Sequence, residues 1–83
     1  MFRLLLARRL WEREQYDQAM NEWRSVLGQD PGNIEARLGL ARAAAKAGDR
    51  AGAAQEYRHI LQIAPDQPEA RRELGRLGRA SGF

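Results

Sequence analysis

Shifted against itself by 34 residues, the sequence aligns Arg3-Leu4-x-Leu6-Ala7-Arg8 with Arg37-Leu38-x-Leu40-Ala41-Arg42, and about a third of the comparable positions are then identical. The register continues through Ala19 with Ala53, Glu22-Trp23-Arg24 with Glu56-Tyr57-Arg58, Val26-Leu27 with Ile60-Leu61, and Pro31 with Pro65. A third copy starts with Glu69-Ala70-Arg71, Leu74 and Arg76. A period of this length confines the chain to architectures in which one small supersecondary unit stacks on the next, because no single unit can bury its apolar face alone.

Within a copy the apolar residues recur at helical spacing: Phe2, Leu6 and Leu10, then Ala19, Trp23, Val26 and Leu27, with a short polar break at Glu14-Gln15. Each copy therefore reads as a helical hairpin. In the second copy the break is Gly48-Asp49, a good turn, and Pro31 and Pro65 stop the second helices. Asn33 and Asp66 stand as N-caps for the following helices, with Glu35 and Glu69 in first turns where negative charge suits the helix dipole. The expected helices run near 2–14, 17–29, 34–47, 51–63 and 67–80, with no strand pattern. Small residues at Ala7, Ala19, Ala41, Ala53 and Gly75 mark places where two helices must approach closely, and Trp23 and Tyr57 fill the wider space beside them.

A 34-residue repeat carrying Leu and a small residue, then Ala, then an aromatic, then Pro resembles the tetratricopeptide repeat (TPR). The pattern is carried by Leu6-Ala7, Ala19, Trp23 and Pro31, again by Leu40-Ala41, Gly48, Ala53, Tyr57 and Pro65, and Leu74-Gly75 opens a third copy. The resemblance covers nearly the whole chain. It implies an all-α fold of about five helices: antiparallel helix-turn-helix hairpins stacked as a short right-handed solenoid. Residues 1–83 then form one domain, with repeat 1 at about 1–33, repeat 2 at about 34–67, and a partial third repeat or capping helix at about 68–83. Two departures are visible. The family's early Trp is replaced by Arg3, Arg37 and Arg71, and its first-helix Tyr by Leu10, Ala44 and Gly78, which loosens the expected packing without disturbing the register.

Composition narrows the functional classes. The chain has no cysteine and one histidine, so neither a disulfide framework nor a zinc ligand cluster is available, and no cofactor is expected. No nucleophile and base pair or phosphate-cradling loop accompanies the acidic Glu12, Glu14 and Asp17, and enzyme activity is not expected. His59 reads as a surface residue. Fourteen basic residues against eleven acidic give +3, but the signs are interspersed as on solvated helices. Interleaved Glu69 and Glu73 argue against nucleic-acid binding by the Arg-rich last helix. The apolar run near Met1 is too short for a secretion signal, and no stretch approaches a membrane span, so a cytoplasmic location is expected.

Resemblance to the family implies a binding groove lined by first helices. Leu4, Arg8 and Trp11 form one helical stripe distinct from Leu6 and Leu10, with equivalents Leu38, Arg42 and Ala45 in the second copy and Arg72, Arg76 and Arg79 in the third. The groove would grade from apolar to basic and suit a protein or peptide partner with an apolar anchor followed by acidic residues. The family's C-terminal-carboxylate clamp is not expected, because the matching places hold Leu4, Arg8, Gly39, Glu69 and Glu73. Each candidate has a structural alternative: Trp11 as packing over the end of the domain, and Arg8, Arg42 and Arg76 as partners of intramolecular carboxylates such as Glu12 or Glu73. The alternative function is a structural subunit that self-associates or docks into a larger complex through exposed hairpin ends, offering Phe2, Leu5 and Phe83.

Overall fold

The computed structural model describes the backbone of residues 2–81 and the side chains of residues 2–78, so that Phe83 and the Arg79 side chain lie outside the described residues. Among the described residues five helices follow one another: α1 (Phe2–Glu12), α2 (Tyr16–Gln29), α3 (Ile34–Lys46), α4 (Arg50–Ile63) and α5 (Pro68–Ser81). Among the described residues there is no strand. Each helix packs on the next, α1 on α2, α2 on α3, α3 on α4 and α4 on α5, giving two hairpins and a further first helix.

The helix starts follow from local chemistry. The Asn33 side chain accepts a hydrogen bond from the Ala36 N–H at 2.9 Å, and the Asp49 side chain accepts one from Gly52 at 2.9 Å. At α5 the cap is Gln67, whose Oε1 accepts from the Ala70 N–H at 2.7 Å, rather than the expected Asp66. The reason lies in the next residue: Pro68 has no N–H to satisfy and a φ already suited to the first helical position, so the helix starts there and Gln67 takes the place that Asn33 holds one repeat earlier.

Both hairpin turns use one device. Glu14 N–H donates to the Trp11 carbonyl at 3.0 Å and Gln15 N–H to Leu10 at 2.9 Å; one repeat on, Gly48 N–H donates to Ala45 at 3.1 Å and Asp49 N–H to Ala44 at 2.9 Å. This is a Schellman pattern, which places the residue after the helix in the left-handed region. Gly48 adopts φ +85° without penalty, but Glu14 is held at φ 62°, where its Cβ is crowded. Glu14→Gly is therefore expected to stabilise the fold by about 0.5–1 kcal/mol, read as a higher urea midpoint at unchanged slope. An unchanged or lower midpoint would count against strain at this turn.

Two apolar clusters divide the interior. In one, Trp23 of α2 meets Ala7, Ala19 and Ala36; in the other, Tyr57 of α4 meets Leu38, Ala41, Ala53, Ile60 and Ala70. Each aromatic of a second helix thus reaches forward onto the following first helix, and the alanines let the backbones close around it. Ala7, Ala19, Ala41 and Ala53 are fully buried as their spacing implies. Gly75 is only half-buried, because among the described residues no second helix lies over α5. The closest approach is at Gly39, where a Cβ would run into the Trp23 indole.

Candidate functional site

The first helices lie side by side and are joined by ion pairs at the repeat interval. Arg8 of α1 donates to Glu35 of α3 at 2.8 Å, and Arg42 of α3 grips Glu69 of α5 through Nε and Nη2 at 2.6 and 2.5 Å. The carboxylates are the first-turn glutamates of the next first helix, so each also sits at the positive end of a helix dipole. A second series ties first to second helices within each hairpin: Arg3 to Glu22 at 2.9 Å and Arg37 to Glu56 at 3.2 Å. The arginines at the family's Trp position therefore supply a polar link where the aromatic would pack.

Arg42 and Glu69 perturb each other. Hydrogen bonds from Arg42, reinforced by its charge and opposed by partial burial, hold the Glu69 carboxyl below the usual range, and the same bonds raise the Arg42 value. Because the folded value of Glu69 is depressed, its contribution to stability is present above the unfolded value of about 4.3 and is lost as pH falls through the lower folded one. Glu69→Gln is expected to lower stability by about 0.5–1.5 kcal/mol at neutral pH and to flatten the acid limb of a stability profile. Urea midpoints that fall equally with acid in both proteins would refute this. Close by, burial first and then the Glu69 and Glu73 carboxylates push the Tyr57 hydroxyl up to about 12, so it stays neutral.

The residues that the sequence assigns to the groove separate into three groups. Leu38 is turned into the core at 8% exposure, packed with Ala41 and Tyr57, and offers no surface to a partner. Leu4 is half-buried against the cluster of Trp23. Arg8 and Arg42 are exposed but carry the ladder just described, with Glu35 and Glu69 in place of the expected Glu12 and Glu73. Arg76 does pair with Glu73, at 3.1 Å, and Arg72 shares the same carboxylate at 3.2 Å, so two exposed guanidiniums divide one negative charge. Of Arg79 only the backbone is described.

Trp11 is half-buried, its ring edge-on to Tyr16 with centroids 4.7 Å apart and tilted over Trp23 at 5.7 Å. Packing over the hairpin end and exposure at a surface thus both occur in one side chain. Its free part lines a largely apolar cleft of about 320 Å³ together with Tyr16, Asp17, Met20, Ala43, Lys46 and Ala47. Lys46 Nζ stands 5.2 Å from the Tyr16 ring centroid at the rim. The helical stripes of the sequence do not include Tyr16, Met20 or Lys46. A signal existed: Trp11 and Tyr16 stand where the second repeat has Ala45 and Arg50, and departures from a repeat are where a local feature can be written.

His59 is exposed on α4. Among the described residues no group of three or more His, Cys, Asp or Glu side chains could hold a metal ion, and no helix is long and apolar enough to cross a membrane. A family model described as tetratricopeptide repeat matches residues 10–77. A search of curated proteins gave no match.

Proposed function

The chain belongs to the tetratricopeptide repeat family, and from that premise we propose that it holds a peptide or helix of a partner protein along the face formed by α1, α3 and α5. Domains of this family generally act as protein–protein interaction modules, scaffolds rather than catalysts. The observation that carries the finer reading is the asymmetry between the two ends of the array. At one end the half-exposed Trp11 borders an apolar cleft between α2 and α3; at the other Arg72 and Arg76 share the single carboxylate of Glu73, leaving a net positive end. A partner with an apolar anchor and acidic residues beyond it would bury the former against Trp11 and pair the latter with the arginines.

The test uses exposed residues, so that folding is not at stake. The intact chain and a Lys46→Glu/Arg76→Glu double variant serve as paired baits in an extract of the source organism, with equal helicity checked first. A protein retained by the first and lost by the second supports binding on this face. Identical retained sets would sink it.

A further inference from the structure

We propose that the outer side of α1 joins a second copy of this chain in a closed two-fold dimer. Phe2, Leu5, Leu6 and Arg9 stand at i, i+3, i+4 and i+7, on one side of α1. Among the described residues Phe2 and Leu5 are the two most exposed large hydrophobic side chains, at 79% and 48%. Leaving two such neighbours in water on one short helix is unfavourable, and it is this side that a covering partner would relieve.

The repeat register says what does not cover it. Phe2 occupies the place of Ala36 and Ala70, both fully buried beneath the aromatic of the preceding second helix, and Leu5 occupies the place of Gly39, where even one methyl group would meet Trp23. A helix built like α2 therefore cannot seat on α1 as it does on α3, because Phe and Leu fill the space its indole would need, and one built like α4, whose Tyr57 accommodates Glu73 in the register of Leu5, would still meet Phe2 where α5 has Ala70. The far end of the molecule fits no better. The side of α5 in register with the α2-facing side of α1 carries Arg71, Arg72, Gly75 and Gly78, so a head-to-tail stack would set these arginines against an apolar surface and against Arg9.

The side is instead complementary to itself. With two copies of α1 antiparallel about an axis between positions 5 and 6, Leu5 of each copy falls opposite Leu6 of the other at the centre, and each Phe2 falls opposite Arg9 of the other copy, a cation over an aromatic face. Arg9 is exposed and makes no ion pair among the described residues, whereas its neighbour Arg8 is held by Glu35. An 11-residue helix is about 16 Å long, so the contact lies below the roughly 1,200 Å² of a stable interface, and the dimer is weak, with Kd on the order of 0.1 mM. This end surface is separate from the face of α1, α3 and α5 assigned to a partner, and either assignment can fail alone.

Sedimentation of the 83-residue chain from about 10 μM to about 1 mM decides it. The expected result is a mass that rises from one copy to two and stops there. Phe2→Ser with Leu5→Ser should weaken the dimer by about tenfold or more at unchanged helicity, and Arg9→Glu by several-fold. Because the chain has no cysteine, Leu5→Cys supplies a unique cross-link across the two-fold axis and should form a disulfide-linked pair, while Gln18→Cys on exposed α2 should not. A monomer throughout, growth beyond two copies, or a dimer indifferent to Phe2 and Leu5 overturns the proposal.

Discussion

Trp23→Ala is expected to remove about 3–5 kcal/mol of stability, a large part of the roughly 4–12 kcal/mol available to a domain of this size. Trp23 is 4% exposed and, from α2, shares one buried cluster with Ala7 of α1, Ala19 of α2 and Ala36 of α3. Its removal opens a cavity between the two hairpins that neither can fill by moving alone. Urea unfolding followed by far-ultraviolet circular dichroism should show a chain largely unfolded well below the native midpoint. Trp23→Phe should behave differently. The Trp23 Nε1–H is buried without a hydrogen-bond partner, which offsets part of the benefit of burying the ring. Phenylalanine has no donor to strand, so the loss should be below about 1.5 kcal/mol. Losses of equal size for alanine and phenylalanine would contradict this account.

Gly39→Ala should destabilise by about 1–2 kcal/mol, although the same change in an open helix gains about 1 kcal/mol of helix propensity. The sign is reversed by contact: the new methyl would overlap the fused edge of the Trp23 indole, and that indole is enclosed on its other sides. At the second interface the smaller Tyr57 faces a chain that has Glu73 in the place of Gly39, so ring size and backbone spacing vary together. In the Trp23→Phe background, where the fused edge is gone, Gly39→Ala should become neutral or stabilising. A double-mutant cycle measures the coupling, expected at about 1–3 kcal/mol. Additive effects would mean that the contact is not what sets the sign.

The hairpins were legible because period, turn residues and prolines agree with one another, and helix limits came within two residues at Ile34, Arg50 and Pro68. Leu38 shows where this failed. A stripe rule allots one buried side to a helix, but α3 lies between α2 and α4, so Ala36, Leu38, Gly39, Ala41 and Ala43 are all buried and the open arc is narrower than the rule allows. The ladder partners were missed for a related reason. Arg8 with Glu35 and Arg42 with Glu69 are each 27 residues apart, a spacing set by how one first helix lies beside the next, which no local pattern encodes. The Trp11 cleft drew on three helices and was likewise invisible until they were brought together.

That sandwiched position of α3 also orders the molecule in time. With extensive packing only between consecutive helices, and single ion pairs joining α1 to α3 and α3 to α5, the chain behaves as a nearly linear array in which each helix is secured chiefly by the one or two beside it. Helices α1 and α5 each pack mainly on a single helix, with one exposed ion pair to α3, and can open without disturbing the far side of the array, whereas releasing α3 requires both apolar clusters to come apart. Amide hydrogens should therefore exchange in a graded profile, fastest at the two ends and slowest along Ala36 to Ala43, so that the lifetime of the whole array is kept by its middle.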